Sequence, residues 1–198
     1  MYPPPHHQTN DRYKMIEVMR HYPLAMMVSV LKDKPLITHL PLIYNDKTES
    51  LTGHIDKYNP QVGCLQNEQV VNLVFRGHDA YISPSIYTTE QLPTWNYIIV
   101  HLTGIVKSVI APEKVKRTIV NMTHFLESPD HQYKLEIDDP NMDRMINYIH
   151  AFEIEITQWE GKFKLSQDKC EQDQMNANDQ LINTNKRRID TFMKNVLK

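Results

Sequence analysis

Between residues 24 and 109 the chain is a succession of short apolar runs broken by Asn, Asp and Pro. A sequence with that pattern has few options beyond an antiparallel sheet. Residues 24–31 (LAMMVSVL) form a nearly continuous apolar run, suited to a strand covered on both faces. Asp33-Lys34-Pro35 turns into residues 36–43, where Leu36, Leu40 and Leu42 share one face and His39 takes the other. A turn at Asn45-Asp46-Lys47-Thr48 leads to a third strand over 51–55. Residues 70–75 and 80–83 read as two strands joined by Gly77-His78-Asp79. Residues 97–109 alternate with period two, with Ile98, Val100, Leu102 and Val106 on one face and Tyr97, His101, Thr103 and Lys107 on the other. A last strand is expected over 151–159, turning at Glu160-Gly161 into 162–165.

Helical signals flank these strands. Asn10 or Asp11 caps a short helix to His21. Pro112 opens a helix to about Glu127, with Val115, Ile119, Met122 and Leu126 at 3.6-residue spacing. Residues 141–148 read as a short helix, and the polar segment from Glu171 is helical in bias, with a weak stripe of Ile182, Ile189, Phe192, Met193 and Val196. Six to eight strands with few crossovers imply an antiparallel barrel with helices on its outside. The expected organisation is one domain over 1–170 and a helical tail over 171–198.

At 198 residues and 40% hydrophobic the chain has the makings of a real core, and it has no run of the ~18 apolar residues that a membrane helix needs. Cys64 and Cys170 form no CxxC pair, and the opening has neither a basic nor an apolar signal region, so a cytoplasmic location is expected. A net charge of −2 does not favour nucleic acid as a partner. The charge is uneven, however: residues 127–143 are acidic and residues 186–198 basic.

Three segments stand out as candidate sites. Pro93-Thr94-Trp95-Asn96-Tyr97 sets a flat ring beside an amide. It reads either as one wall of a site for a planar, polar-edged ligand or as a Trp packing the end of a barrel. In Gly53-His54-Ile55-Asp56-Lys57-Tyr58-Asn59-Pro60, Asn59 and Pro60 open a helix, and His54 and Lys57 stand just before it, where free N–H groups favour an anion. Alternation puts Lys162, Lys164 and Ser166 on one face, as a binding face or as a lysine-protected exposed edge. The ten histidines contain no HxH, HExxH or HxxxH pair, and His6-His7 sit in a Pro-rich start, so no metal site is expected. P-loop, GxGxxG and GxSxG patterns are absent.

HIDKYNP, FRGHDAYISPSIY, PTWNY, GKFKLSQ and the opening MYPPPHH occur here in order. Together, over residues 1–170, they resemble the FMN-binding negative transcriptional regulators, a family associated with repression of protease production and sporulation. The resemblance implies a mainly β fold with α, a split β-barrel of the pyridoxamine-phosphate-oxidase and flavin-reductase type with peripheral helices. It implies a homodimer with FMN at the subunit interface. It places the flavin against Thr38 and His39 and its phosphate near Gly53, His54, Lys57 and Asn59. Trp95, Asn96, Lys164, Ser166 and Gln167 would complete the pocket, from the same subunit or its partner. The family commonly reads His-x-Ala-Arg-x-Asn-Pro; here Asp56-Lys57 stand at the centre, keeping the charge but not the guanidinium fork. The function implied is regulation, through DNA contact by the basic tail or indirectly. The alternative, from the fold's relatives, is a flavin-dependent oxidoreductase or flavin reductase. His54 and His101 are then the side chains to test as acid or base. A third reading is a barrel holding haem or another planar ligand through His39 or His54.

Overall fold

The computed structural model describes residues 4–109 and 111–196. Met1, Tyr2 and Pro3 of the MYPPPHH opening and Lys198 of the basic tail lie outside the described residues, as do the side chains of Arg187, Arg188 and Val196.

The strands are β1 (Gln8–Thr9), β2 (Leu24–Leu31), β3 (Lys34–Asn45), β4 (Ser50–Asp56), β5 (Val70–Ile82), β6 (Thr94–Val109) and β7 (Ile149–Lys164). The helices are α1 (Arg12–His21), α2 (Pro112–Leu126), α3 (Met142–Met145) and α4 (Glu171–Val196). All seven strands join one sheet in the order β1-β7-β4-β3-β2-β5-β6, and β6 also pairs with β7, so the order closes on itself. The pairings of β2 with β3 and β5, of β3 with β4, of β4 with β7 and of β1 with β7 are antiparallel.

Two compact units share these long strands. One comprises residues 19–75 and 101–159. Its interior is apolar: Met27, Leu42, Leu51, Leu73, Phe75 and Phe152 are fully enclosed. They are enclosed because β2–β5 and β7 each turn one face inward with period two. On another face of the same unit, Val115 and Ile119 of α2 cover Met142 and Ala151. Leu126, expected on that stripe, is half exposed. It is the last residue of α2, beyond the reach of this cluster.

The other unit comprises residues 1–18, 76–100 and 160–198. Here Ala177 and Leu181 of α4 pack on Ala80 and Ile82 of β5, so the first half of the polar tail carries a buried stripe. Farther along, Ile182, Ile189, Phe192 and Met193 stay exposed. Asp11 caps α1, its Oδ1 accepting from the Tyr13 N–H at 3.0 Å.

Two expected turns do not exist. Gly77-His78-Asp79 lies inside β5, where the inside–outside alternation runs from Val71 to Gly77 and resumes one residue out of phase at Ala80 and Ile82; no glycine here takes a positive φ, so the segment shifts the phase of the strand without turning the chain. Glu160-Gly161 likewise lies inside β7. A Cβ at Gly161 would run into the Thr9 methyl and sit 3.0 Å from Met15 Sδ, so this glycine answers a close approach and not a bend. β1, invisible in the sequence, is the cause: Gln8 and Thr9 pair with Lys162 and Gly161. The same pairing covers Lys162, which is only 2% exposed, so of the two readings of this face the lysine-protected exposed edge does not hold at Lys162.

Candidate functional site

The segment His54–Pro60 is built by side chains that mimic turns. Asp56 Oδ1 accepts from the Tyr58 N–H at 2.7 Å, and Asn59 Oδ1 accepts from the Gln61 N–H at 2.8 Å. Asn59 thus caps the expected helical turn, a 3-10 turn over Pro60–Cys64. Asp56 is therefore a turn former, a role its charge did not announce. Asn59 Nδ2 also donates to Thr38 Oγ1 at 3.2 Å, joining two of the expected site residues directly. Gln61, which the sequence did not single out, fastens the turn to the β2–β3 hairpin. It is 1% exposed, and its Nε2 donates to Ser29 Oγ at 2.9 Å and to the Met27 and Leu36 carbonyls at 3.3 Å. Lys57 is exposed beside this braced turn, its backbone held by the Tyr148 carbonyl at 2.8 Å.

Strand geometry divides the remaining candidates of this unit. Thr38 follows the inward face of β3 with Leu40 and Leu42, whereas His39 is exposed on the other face. Gly53 and His54 alternate in the same way on β4. A single ligand therefore meets at most one side chain of each neighbouring pair. A Cβ at Gly53 would lie 2.5 Å from Leu42 Cδ2 and 3.4 Å from the Phe152 ring, so core packing accounts for this glycine without a phosphate cradle. His54 is half-buried, its Nδ1 is enclosed without a hydrogen-bond partner, and burial pushes its imidazole below the ordinary value. An orphaned ring nitrogen, an exposed lysine and the Asn59–Thr38 pair are a donor set that fits an anionic group such as a phosphate.

In the other unit the corner at Thr94–Tyr97 is the opening of β6, so Trp95 and Asn96 also face opposite ways. Trp95 is 42% exposed, which removes the reading of a Trp plugging a barrel end. Its Nε1 donates to Asp79 Oδ1 at 2.9 Å and its ring lies 6.4 Å from that of Tyr81. Asn96 is fully buried, with its Nδ2 3.0 Å from Ser166 Oγ; Ser166 Oγ also lies 2.9 Å from Tyr87 Oη. Lys164 Nζ donates to Thr94 Oγ1 at 2.5 Å. Gln167 spends its amide internally: Nε2 donates to the His6 carbonyl at 2.8 Å and to the Phe163 carbonyl, and Oε1 accepts from the Leu165 N–H at 2.8 Å.

Asn96, Lys164 and Ser166 line a cavity of about 280 Å³ together with His7, Tyr87 and Asp168. That lies just under the roughly 300–1,000 Å³ of ordinary small-molecule pockets. A larger cleft of about 690 Å³, in the unit of residues 19–75 and 101–159, runs between α2 and β3–β4 and contains none of the expected residues. Lys114, Arg117, Asn121 and His124 line it from α2. Their helical spacing on the polar face of α2 was the available signal for it.

Among described residues, no helix is long and apolar enough to cross a membrane. Cys64 is buried and Cys170 exposed, and both are free thiols.

The chain is 29% identical over 186 residues to the protease synthase and sporulation protein PAI 2 of Bacillus subtilis, covering 92% of this chain and 90% of that protein. In structure it resembles the FAD and heme binding protein of Mycobacterium smegmatis, with a TM-score of 0.65 at 15% identity over 84% of this chain and 78% of the other. It also resembles the flavocytochrome Anf3 of Azotobacter vinelandii, with a TM-score of 0.61 at 14% identity over 79% and 69%. At such identities the structural likeness speaks for the fold, and the fold is the split β-barrel with peripheral helices expected from the sequence. The family model described as "Putative FMN-binding domain" matches residues 1–158, and the chain belongs to that family.

Proposed function

We propose that this protein binds FMN, as a cytoplasmic homodimer, and acts as a regulator of the kind its Bacillus relative's name describes. The observation that carries the flavin reading is the braced turn at Asp56–Pro60. It holds Lys57, the Asn59–Thr38 pair and the unpartnered His54 Nδ1 in one unit of a chain that belongs to an FMN-binding family. In this reading Lys57 supplies the cation for the phosphate, and Thr38 and Asn59 supply hydrogen bonds. Of each neighbouring pair only one side chain can face that ligand, Thr38 and not His39 on β3, His54 and not Gly53 on β4, while Asn96, Lys164 and Ser166 line a cavity within their own unit. FMN, when bound, would bring redox chemistry of its own; the chain's residues bind and orient it. Regulation then follows from flavin occupancy, through the basic tail on DNA or through another protein.

The test is an absorbance spectrum of the purified protein followed by titration with FMN. Saturable binding with quenched flavin fluorescence is expected. Lys57→Ala should weaken it by about tenfold or more, the loss of one charge-assisted bond to phosphate. Absence of binding at high micromolar FMN would sink the flavin reading. Unchanged affinity in Lys57→Ala would remove Lys57 from the site while leaving the cofactor in place. Turnover of a reduced nicotinamide by the flavin-loaded protein would favour the oxidoreductase alternative over regulation.

A further inference from the structure

The N-terminal turn and the loop after β7 meet in a way that neither segment reveals alone. His6 and His7 occupy a 3-10 turn over Pro5–His7, and Asp168 lies 161 positions beyond His7 in the loop that follows Lys164. One ligand atom from each of His6, His7 and Asp168 lies within 4.8 Å of the other two, and no other such trio occurs among the described residues. His7 is 8% exposed, and its Nδ1 is enclosed without a hydrogen-bond partner. A buried ring nitrogen with nothing to bond is costly unless something occupies it. His7 and Asp168 also line the 280 Å³ cavity, so one side of the trio opens onto space where water or a small ligand fits.

We propose that His6, His7 and Asp168 form a binding site for a divalent transition-metal ion, with open coordination positions facing the cavity. Two imidazoles and one carboxylate are the donor set of Zn²⁺ and Fe²⁺ sites that keep positions free for water or substrate. Ligand atoms at about 2.1 Å from a tetrahedral Zn²⁺ stand about 3.4 Å apart, so the trio needs a closure of at most roughly 1.4 Å. The exposed His6 ring is the member able to make it. The frame holding the trio is already built. Gln167 Nε2 donates to the His6 carbonyl at 2.8 Å, the Lys169 N–H bonds the Ser166 carbonyl at 3.0 Å, and β1 pairs with β7 at Gln8 and Lys162. Supporting shells of this kind fix the donors of metal sites elsewhere.

The charges nearby set the terms of binding. Lys162 and Lys164 act on His7 electrostatically and oppose a cation, and Lys169 Nζ lies 2.8 Å from Asp168 Oδ2. The Asp168 carboxylate is therefore the donor on which affinity depends most. From sequence His6-His7 are set aside because no HxH, HExxH or HxxxH pair occurs and they sit in a Pro-rich start. The third ligand comes from the far end of the chain.

The experiment is calorimetric titration of the full, chelator-stripped chain with Zn²⁺, repeated with Co²⁺ to read coordination from its visible absorption. One ion per chain is expected, with low-micromolar or tighter affinity and a Co²⁺ spectrum of low coordination number. Asp168→Asn and His6→Ala should each weaken binding by roughly tenfold or more. His7→Ala is avoided as the deciding variant because its side chain is buried, and melting temperatures in chelator verify that the other two remain folded. The His124–His131 pair, with rings 4.6 Å apart, is the competing surface site. His124→Ala should leave the affinity unchanged. Absence of saturable binding, or binding weakened by His124→Ala and untouched by Asp168→Asn and His6→Ala, overturns the proposal. Because the readout is the metal alone, the result is independent of whether FMN binds.

Discussion

The two units spend their buried volume differently. In the unit of residues 19–75 and 101–159 the enclosed side chains are overwhelmingly apolar. Its buried polar groups are Ser29, Ser50, Gln61 and Thr118, two of which are satisfied within their own segment, Ser50 by Thr48 and Thr118 by the Lys114 carbonyl. In the unit of residues 1–18, 76–100 and 160–198, His7, Asn96, Lys162, Ser166 and Asp173 are buried. Its bonds reach across the sequence, from Asn96 to Ser166 and from Thr88 to Asp173. Apolar burial is non-directional and supplies free energy; buried hydrogen bonds contribute less net energy but demand one geometry. The first unit is thus held by volume, the second by pairing, and the candidate metal donors sit in the second.

The comparison breaks most easily at Phe152, fully enclosed in the first unit. Phe152→Ala is expected to cost about 3–5 kcal/mol in denaturant unfolding. A loss of under 1 kcal/mol would mean that this interior is not the main source of stability. In the second unit, Asn96→Ala should cost about 1–3 kcal/mol by stranding a buried partner. A cycle with Ser166→Ala should reveal a coupling of roughly 0.5–3 kcal/mol. Additive losses would show that the buried pair is two independent contacts and not a unit.

Acid should separate His54 from Asp173 by pH window, with His7 of the second unit, its imidazole also lowered first by burial, sharing the histidine window. Burial holds the His54 imidazole below its ordinary value, so its contribution is present in full above about pH 6.5 and is lost as pH falls through the lower folded value. His54→Gln should flatten that part of the stability profile measured without ligand. Asp173 is held below the usual carboxylate range, first by the Thr88 N–H, which donates to Oδ1 at 2.7 Å. Its contribution is present above the unfolded value of 3.8 and is lost only as pH falls through the lower folded one. Asp173→Asn should therefore change the acid limb and leave the slope near pH 6 intact. A change at pH 6 would refute the separation.

The smallest expected effect is at Arg20, whose Nη2 bonds both carboxylate oxygens of Asp46 at 2.7 and 2.8 Å on the surface of the first unit. Arg20→Ala should cost no more than about 1 kcal/mol, and high salt should erase most of it. A larger, salt-insensitive loss would show that surface pairing rivals the apolar interior.

Strands β2, β3, β4 and β6 and helices α1 and α2 were legible because period-two and 3.6-residue patterns report which face is buried. The Asn59 cap was legible because capping is local chemistry. β5 and β7 were each read as two pieces because glycine is ambiguous in sequence: Gly77 and Gly161 mark turns in isolation, and only neighbours such as Thr9 and Met15 reveal a strand pressed close.

The candidate residues divide on the same principle. That Thr38 meets Asn59, that Asn96 meets Ser166, and that Gln167 holds the His6 carbonyl were decided by pairings 21, 70 and 161 positions apart. The sequence by itself determined an antiparallel, helix-flanked barrel, its family, and the local turn that presents Lys57. Tertiary structure alone decided which polar groups are buried, which lysine is covered by a two-residue strand, and that two histidines at one end of the chain face an aspartate near the other. Periodicity and capping act within a few residues of chain, whereas burial and donor sets are properties of packed space.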